Sequence, residues 1–423
     1  MSRCNNGNNM KINRISIIAN SLIQLHDDKE GFLPNKGGMS GGSRIFIECA
    51  KRWLDKGISI DVFTPDVGEK FCKYNGLNKA NYVTWTSSKC GRLTKFGTLG
   101  IVALYIIGLV KGCLIILRKF QQVNKTIIYS SSDFWADSIP AFVARLRNKN
   151  AKWVASFYLF APSPLSKTSP YKGRKFLRGL IYYLSQIPVY WLIKKYASMV
   201  WVTSESDRWR FINKRLPPEK VIAIRWGVDT TTPSTIPEPK EKKFDAVFIG
   251  RFHPQKGILE LMDIWKLVCE KRPYAKLAII GTGELEKDVR EKIRKYRLEN
   301  NVTLFGFKDG VEKLKIFKES MIVVHPATYD TGAIAPMEAI SCGLPAVMFD
   351  LPAFRTYYPK GVIKVPKNNL RMFAESILNL LSNAKLYETL KEEAIQLTRE
   401  LDWNKKADEL LNLIRKVLDD SCG

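Results

Sequence analysis

Two cationic side chains lie in a short loop in the second half of the sequence. The loop Gly250–Gly257 follows the predicted strand Asp245–Gly250 and leads into a predicted helix. Such loops lie at the carboxyl edge of a parallel sheet, where α/β proteins bind their ligands. Arg251 offers a planar fork of N–H donors and Lys256 a mobile point charge, so the pair is suited to a diphosphate. Taken alone, the two side chains are equally well explained as surface cations beside a turn.

Two carboxylates bracket a second loop, within residues 325–339, that also follows an apolar segment. The small residues Gly332 and Ala333 would let a ligand approach the backbone, and the helix start behind them offers N–H groups to phosphate oxygens. Carboxylates accept hydrogen bonds from vicinal hydroxyls, so Glu338 is expected to hold a ribose and Asp330 a second sugar. The simpler alternative makes Glu338 a first-turn helix acid stabilised by the dipole.

Short apolar segments alternate with helical patterns throughout the chain. The predicted strands are Ile15–Ala19, Ile58–Thr64, Ile127–Ser130, Trp153–Phe157 and Met199–Thr203 in the first half, and Asp245–Gly250, Leu277–Gly281, Val302–Phe305, Met321–His325 and Ala346–Phe349 in the second. This alternation predicts an α/β protein with parallel sheets covered by helices on both faces. The length of 423 residues favours two domains, and the Pro/Thr/Ser-rich segment 230–239 is typical of a linker.

The two loops together resemble the donor-binding motifs of the family 4, or group 1, retaining glycosyltransferases. In that family an Arg and a Lys of a G-R-x-x-x-x-K-G loop hold the donor diphosphate, and the matching residues are Arg251 and Lys256. An acid–seven residues–acid motif ending in E-A-x-x-C-G-x-P holds the sugar and the ribose, which implies Asp330 and Glu338. The resemblance is specific over about 199–403. It implies the GT-B fold, in which two Rossmann-like domains face each other across a cleft and a C-terminal helix crosses back to the first domain.

Further landmarks extend the resemblance along the chain. They are a G-x-G-x-L-type turn at Ile280–Leu285, an N-G-V-D-like segment at Val221–Asp229, the pair Asp402–Trp403, the strand end Trp201–Ser206 and a loop at Gly41–Gly42 that approaches the donor phosphate. The donor-binding residues thus implied are Gly41, Gly42, Gly250, Arg251, Lys256, Gly281, Gly283, Asp330, Gly332, Ala333, Ile334 and Glu338. Those implied in catalysis are Arg251, Lys256, Asp330 and Glu338. The implied domains are 11–229 for the acceptor and a membrane, 243–403 for the nucleotide sugar and 404–423 for the crossing helix.

Three positions depart from the family pattern. Asp330 stands where the family commonly has Glu, and its shorter arm bears on sugar preference. Trp226 replaces the customary Asn. The segment Trp153–Tyr158 lacks the His that many relatives place beside the reacting sugar, and the donor-side histidines, His253 and His325, are expected only to pack or hydrogen-bond locally.

Positive charge is concentrated in the first half of the chain. Residues 1–230 hold 36 Lys and Arg against 14 Asp and Glu, whereas residues 231–423 hold 31 against 27. No acid occurs between Ser138 and Ser204, a stretch with eleven Lys and Arg. This one-sided field favours an anionic partner for the first domain, either a membrane surface, a lipid phosphate or nucleic acid. Plain solubility is the alternative.

Two apolar segments of the first half carry basic flanks. Residues 96–110 contain no charged side chain, and the apolar run resumes at 112–117 after Lys111. The length would permit a spanning helix, but predicted strands of one sheet lie on both sides of it, which argues against a single crossing. We therefore expect residues 96–117 to form a helix that lies in a membrane interface or is partly buried in the domain, and a second segment, Leu180–Ile193, to behave in the same way. Two core helices are the alternative.

The resemblance and the charge pattern together imply an enzyme, a nucleotide-sugar-dependent retaining glycosyltransferase of hexosyltransferase type that acts in glycan biosynthesis. Its implied partners are a nucleotide-diphosphate sugar, a lipid-linked or membrane-proximal glycan acceptor and an anionic membrane surface. No metal or other cofactor is expected, because two cations and a helix N-terminus can stabilise the leaving diphosphate and no D-x-D-like triplet occurs. The alternatives are a phosphorylase or epimerase of the same fold, and a nucleic-acid-binding or inactive adaptor protein, although nucleic acid is not the expected partner.

The cysteines and the N-terminus bear on location. Eight scattered cysteines contain no C-x-x-C pair, which argues against a zinc site and a disulfide framework. Residues 1–13 are polar and Asn-rich, unlike a signal peptide. The sequence therefore predicts a cytoplasmic protein, peripheral on the cytoplasmic face of a membrane.

Overall fold

A computed structural model divides the chain into two compact units. The structure describes residues 12, 14–24, 39–87, 93, 96–121, 125–166, 169, 171, 173, 176–330 and 332–419. Unit 1 extends to Ile224 and resumes at Lys406, and unit 2 holds the described residues of Arg225–Lys405. The change of unit at Ile224 comes before the segment 230–239, in which Thr231–Thr235 form a short helix of unit 2.

Unit 1 is built on a parallel sheet in which the described residues form seven strands. The strands are β1 (Arg14–Ile18), β2 (Ser59–Pro65), β3 (Asn81–Trp85), β4 (Thr126–Ser130), β5 (Lys152–Phe157), β6 (Met199–Val202) and β7 (Val221–Ala223). In the order β3-β2-β1-β4-β5-β6-β7 the direction of winding reverses between β1 and β4, as in a Rossmann-like fold. The central strand β4 is buried throughout, since a doubly wound sheet is covered on both faces.

Helices connect the strands of unit 1. They are α1 (Gly41–Asp55), α2 (Asp66–Tyr74), α3 (Gly97–Lys119), α4 (Trp135–Arg147), α5 (Phe176–Tyr196) and α6 (Glu205–Phe211), with 3-10 turns at Asn20–Gln24 and Pro218–Lys220. Ser40 and Ser204 cap α1 and α6 by accepting hydrogen bonds from first-turn amides. Helix α4 packs against both α3 and α5, and Trp135 Nε1 donates to Ser185 O of α5 at 2.7 Å.

Unit 2 repeats this architecture with six parallel strands among its described residues. They are β8 (Phe244–Ile249), β9 (Leu277–Ile280), β10 (Val302–Gly306), β11 (Ser320–His325), β12 (Ala346–Phe349) and β13 (Val362–Val365). The order β10-β9-β8-β11-β12-β13 reverses between β8 and β11. Two Rossmann-like domains were expected, and both sheets confirm this.

The helices of unit 2 cover its sheet and bury its core. They are α7 (Thr231–Thr235), α8 (Ile258–Lys271), α9 (Glu286–Lys295), α10 (Gly310–Lys318), α11 (Ile334–Ile340), α12 (Pro352–Tyr357), α13 (Leu370–Ser382) and α14 (Ala384–Glu400), with a 3-10 turn at Pro254–Lys256. Trp265 of α8 lies fully buried in a core cluster with Phe248 and Leu277. Asn369 and Asn383 cap α13 and α14.

The last helix, α15 (Trp403–Asp419), begins in unit 2 and continues in unit 1 from Lys406 onward. Within unit 1, Trp53 Nε1 of α1 donates to Ala407 O at 2.9 Å, and Lys56 forms an ion pair with Asp408. These contacts confirm the predicted C-terminal helix that returns to the first domain.

Two landmarks noted separately in the sequence adjoin each other in unit 2. Val228 forms a parallel bridge with Asp402, and Thr230 Oγ1 donates to Asp402 Oδ2 at 2.9 Å. A Cβ at Gly227 would lie 2.3 Å from the Trp403 ring, so glycine is required where the indole packs. The segments 221–229 and 402–403 therefore form one junction at the start of α15.

Helices α3 and α5 each bury one face and leave apolar side chains exposed on another. The buried side chains include Leu104 and Ile116 of α3 and Val189 and Ile193 of α5. The exposed ones, between 37% and 80% accessible, are Leu99, Ile106, Val110, Leu114 and Leu117 on α3 and Leu177, Ile181, Leu184, Ile187 and Trp191 on α5. Among the described helices, none has the length and apolar character needed to cross a membrane.

Candidate functional site

The loops that follow β8 and β11 lie side by side at the carboxyl edge of the second sheet. They are the cation loop (Gly250–Gly257) and the acid loop (Pro326–Ala333), of which Thr331 lies outside the described residues. Thr328 N donates to Gln255 O at 3.0 Å and Thr328 Oγ1 donates to Pro254 O at 3.1 Å. Because β8 and β11 are neighbours where the sheet order reverses, the two loops occupy the position at which α/β sheets bind ligands.

The turn after β9 packs against the cation loop. A Cβ at Gly281 would lie 2.0 Å from Gly250 O, and one at Gly283 would lie 2.6 Å from Phe252 O. Both glycines adopt positive φ angles, 139° and 159°, which L side chains disfavour. Their small size is therefore required by backbone packing, and their contact with a donor stays a prediction.

Lys256 and Asp330 form a buried ion pair that joins the two loops. Lys256 Nζ contacts Asp330 Oδ2, and the two side chains are only 17% and 8% exposed. Burial acts to raise the pKa of Asp330, but the Lys256 ammonium and the nearby His325 outweigh it and hold that pKa below its usual range. Asp330 is thus ionised, and its charge is matched by one of the two predicted cations.

His325 ends β11 and is buried, with 1% of its surface exposed. Its ring stacks on Phe248 at 6.1 Å between centroids and also contacts Phe354 at 5.9 Å. Neither ring nitrogen has a hydrogen-bond partner among the described residues, and Nε2 lies 3.9 Å from Asp330 Oδ2. His325 thus packs, as expected, and His253 has the local contact, because its Nδ1 accepts from Gln255 N at 3.2 Å. Burial lowers the pKa of His325, so the ring is neutral.

Arg251 directly follows Gly250 in the cation loop and is exposed. Within the part of the chain that the structure describes, its side chain forms no ion pair or hydrogen bond. A guanidinium with all its donors facing solvent retains its full capacity for an anionic ligand. The second predicted cation is therefore available, in contrast to Lys256.

Glu338 lies in α11 with only 14% of its side chain exposed and is held by a lysine that the sequence did not single out. Lys313 of α10 places Nζ 3.0 Å from Glu338 Oε2 and 2.7 Å from Asp309 Oδ1. The spacing of Asp309 and Lys313 signals a helical ion pair, but no sequence pattern connects them to Glu338. This contact fixes the carboxylate of Glu338, which the helix dipole alone would leave free to rotate.

Two side chains orient the backbone of the acid loop. Trp226 Nε1 donates to Gly332 O at 2.6 Å, and Tyr358 Oη donates to Ala333 O. In a trans peptide the N–H points away from the preceding C=O, so the amides of Ala333 and Ile334 face the opposite side. The Trp that replaces the family's Asn thus has a role within unit 2.

Packing within unit 2 requires a glycine at position 332, and the expected approach of a ligand there stays a prediction. A Cβ there would lie 2.4 Å from the Tyr357 ring and 2.8 Å from Trp226 Nε1, and its φ is 126°. The two rings stack, with centroids 6.0 Å apart and planes inclined by 29°. Glycine at this position is required by the protein's own packing.

Gly41 and Gly42 belong to unit 1, where they form the first turn of α1 and not the free loop that was expected. A Cβ at Gly42 would lie 2.8 Å from the ring of Tyr158. Tyr158 follows β5, at the strand end that lacks the family's His. Its hydroxyl lies 2.7 Å from Tyr129 Oη and accepts from Ser156 Oγ at 2.8 Å, so it is part of a buried hydroxyl network.

One family model and several curated proteins are similar to the second half of the chain. Residues 231–397 match the model of the glycosyl transferases group 1 family. The chain is 25% identical over 177 residues to the poly(glycerol-phosphate) alpha-glucosyltransferase of Bacillus subtilis, a match covering 39% of this chain and 26% of that protein. It is 26% identical over 204 residues to the phosphatidyl-myo-inositol mannosyltransferase of Mycobacterium leprae, covering 46% and 54%. The chain thus spans about a quarter to a half of the length of these curated relatives.

Solved structures resemble nearly the whole chain. A mutant of S. aureus TarM, in complex with fondaparinux, alpha-GlcNAc-glycerol and UDP, matches with a TM-score of 0.66 and 16% identity, covering 95% of this chain and 99% of that one. Anabaena HepE in complex with UDP and glucose matches with a TM-score of 0.66, 17% identity and the same coverage. At these identities the similarity shows the fold, which is the predicted GT-B type.

Proposed function

We propose that this chain, whose residues 231–397 match the model of the glycosyl transferases group 1 family, transfers a hexose from a nucleotide-diphosphate sugar to an acceptor hydroxyl with retention of anomeric configuration. The observation that carries the proposal is the meeting of the cation loop and the acid loop at the reversal point of the second sheet. The cation loop carries an exposed guanidinium, the Lys256–Asp330 pair joins the two loops, and the acid loop with α11 supplies oriented backbone amides and a fixed Glu338. These are the groups that a sugar diphosphate requires.

The donor would be held at both ends. Arg251 and Lys256 bind the diphosphate, and Lys256 exchanges its contact with Asp330 for a phosphate oxygen. Asp330 then accepts hydroxyl groups of the transferred sugar, while Glu338, oriented by Lys313, accepts those of the ribose. The amides near Ala333 face the phosphates.

The chemistry follows from the charge of the leaving group. The bond between the anomeric carbon and the distal phosphate oxygen breaks, and the acceptor oxygen takes its place on the same face of the sugar. The nucleoside diphosphate gains negative charge as it leaves, and Arg251, Lys256 and the acid-loop amides stabilise that charge in the transition state. With these cations in place the reaction needs no metal, so turnover is expected to persist in EDTA.

The acceptor would be a lipid-linked or membrane-proximal glycan, received by unit 1 on the cytoplasmic face of an anionic membrane. The exposed apolar residues of α3 recur at helical spacing along one face, and those of α5 do the same. Lys111, Arg118 and Lys119 are exposed on α3, and Lys195 is exposed on α5. Exposed apolar side chains beside cations suit an interface of acyl chains and anionic headgroups. Two relatives named above act, by their names, on poly(glycerol-phosphate) and on phosphatidyl-myo-inositol.

The reaction can be tested without knowledge of the acceptor, because water can replace it. The chain is incubated with UDP-glucose, UDP-N-acetylglucosamine, GDP-mannose and ADP-glucose, and the first sugar released is followed by proton NMR. Retention predicts that an α-linked donor releases the α-anomer first. Release of the β-anomer would contradict retention, and intact donors throughout, together with no binding, would contradict the enzymatic function.

A further inference from the structure

His325 is a buried polar side chain with an unmet need for a hydrogen bond. It is 1% exposed, and both ring nitrogens lack a partner within the described residues. Leaving a buried donor unsatisfied costs folding free energy. Such a residue at the edge of a ligand crevice suggests that its partner becomes available in another state of the site.

The ring of His325 is held by packing, which fixes the direction of its nitrogens. The plane of Phe248 is inclined by only 16° to the imidazole, and Phe354 contacts the ring at 48°. Nε2 lies 3.9 Å from Asp330 Oδ2, about 1 Å beyond hydrogen-bond distance. A small movement of the carboxylate is enough to close this gap.

One partner of Asp330 is Lys256, whose ammonium contacts the same oxygen, Oδ2, that His325 approaches. Donor binding would draw Lys256 toward the diphosphate. Asp330, 8% exposed, would then be a buried carboxylate without its cation, and a further N–H donor would stabilise its charge. Tyr358 lies near Asp330 and Glu338, and burial together with their negative charges raises its pKa. Its hydroxyl, however, already donates a hydrogen bond to Ala333 O. His325 is a neighbouring side chain whose ring nitrogens have no hydrogen-bond partner among the described residues.

We propose that His325 is a positioning residue for Asp330: in the donor complex its Nε2–H donates to the carboxylate that Lys256 has released. This inference rests on the proposed function, because it requires a nucleotide-sugar donor. His325 itself touches neither the sugar nor the reacting atoms. By fixing one oxygen of Asp330, it directs the other oxygen at the sugar hydroxyls. His325 therefore contributes to the affinity for the sugar part of the donor and not to the affinity for the nucleotide part.

Two substitutions separate the hydrogen bond from the packing. His325→Phe keeps an aromatic ring against Phe248 and Phe354 and removes the donor, whereas His325→Gln keeps an N–H of similar reach. Calorimetry measures the affinity for the nucleotide sugar of the four-donor panel that binds best, and for the matching nucleoside diphosphate. His325→Phe is expected to weaken the affinity for the nucleotide sugar about 10- to 100-fold, which corresponds to the loss of a hydrogen bond to a charged group. The affinity for the diphosphate should stay within about twofold, and His325→Gln should recover most of the loss.

The same substitution in a chain that also carries Asp330→Asn shows whether the loss of affinity depends on the Asp330 carboxylate. In Asp330→Asn the carboxylate is gone, so adding His325→Phe should cost no further affinity for the nucleotide sugar. An equal loss with both ligands, an undiminished loss in the Asp330→Asn background, or no loss at all would overturn the positioning role. If His325→Phe unfolds, His325→Asn, whose amide is too short to reach the carboxylate, takes its place, and the same three outcomes overturn the role. Failure of the unmodified chain to bind any nucleotide sugar would contradict the proposed function itself.

Discussion

At the residue scale, the ion pair between Lys256 and Asp330 places two opposite charges where neither is well hydrated. Taking a charge out of water is unfavourable unless an opposite charge or hydrogen bonds compensate for it. Each side chain is therefore needed by the other while the site is empty. The same pairing keeps Lys256 extended toward the acid loop, in the region where the proposed diphosphate binds.

The pair makes Lys256→Met a test of stability as well as of binding. Removing the ammonium leaves Asp330 buried with an uncompensated charge, at a cost of about 3–5 kcal/mol, so the Tm should fall by several degrees in differential scanning fluorimetry. Adding Asp330→Asn removes the buried, uncompensated carboxylate. The double variant should recover much of the lost Tm, but it should not recover affinity for a nucleotide sugar. A Lys256→Met chain as stable as the unmodified one would contradict the buried pair.

Asp133 of unit 1 gives a second, pH-dependent prediction. It is 6% exposed and accepts from Gln186 Nε2 at 2.7 Å, and burial raises its pKa from 3.8 to about 6. The folded chain thus holds this proton more tightly than the unfolded chain, and the stability from the neutral carboxyl is lost as pH rises from about 4 to about 6. The amide that replaces the carboxyl in Asp133→Asn stays neutral at every pH. The free energy of unfolding of this variant, relative to the unmodified chain, should therefore increase by up to about 3 kcal/mol across that window, and its relative Tm should rise with it. A Tm difference that is constant or shrinks with rising pH would show that the carboxyl is not destabilised by burial.

The sequence identified the cations and acids of the site because each belongs to a local pattern. It did not identify Lys313, Trp226 or Tyr358 as their supports. These contacts join distant parts of the chain, since Trp226 is 106 positions from Gly332 and Tyr358 is 25 from Ala333. Such partners are determined by sheet order and by loop geometry, and neither is encoded in residue spacing.

At the element scale, α3 and α5 show why two interpretations of the apolar segments both had support. One face of each helix packs into the first core, as the core-helix alternative expected, and another face is apolar and exposed, as the interface prediction requires. A helix that is apolar on two faces has no periodicity that tells which face is buried. That assignment depends on α4, which packs between them.

The exposed faces predict membrane binding that depends on α5. Leu184 and Trp191 are 51% and 60% exposed, and replacing both with Ser should weaken binding to vesicles by about tenfold or more, because their apolar area no longer leaves water. Flotation with vesicles of phosphatidylcholine, with and without phosphatidylglycerol, measures the effect. Tyr274→Ser, at an 88% exposed aromatic of unit 2, is the matched control and should float like the unmodified chain. Recovery of the unmodified chain in the soluble fraction with both vesicle types would contradict the membrane proposal.

The strands that sequence patterns missed are all at sheet edges. β3 and β7 are the two edges of the first sheet, and β13 is an edge of the second. None is buried throughout, unlike the central β4. An edge strand has a neighbour on one side only, so its composition is less apolar and its pattern less distinct. The central strands were found because burial on both faces demands continuous apolar residues.

At the scale of the whole molecule, alternation predicted α/β architecture, whereas the Rossmann-like type of both domains and the returning helix came only from the family resemblance. Both sheets have the Rossmann-like reversal, yet their charges differ, since the excess of Lys and Arg lies in residues 1–230. Two similar folds therefore carry different chemistry on their surfaces. The proposed division assigns the donor to unit 2 and an anionic acceptor environment to unit 1.

The most direct test of the donor site is the affinity of Arg251→Ala for the nucleotide sugar that binds the unmodified chain best, measured by calorimetry. Arg251 is exposed and has no side-chain partner among the described residues, so its removal should leave the Tm unchanged. Arg294→Ala changes an equally exposed Arg in the last turn of α9 and serves as the control. The account predicts that Arg251→Ala weakens the affinity for the nucleotide sugar by about 10- to 100-fold, whereas Arg294→Ala leaves that affinity unchanged. Equal affinity of Arg251→Ala and the unmodified chain would contradict it.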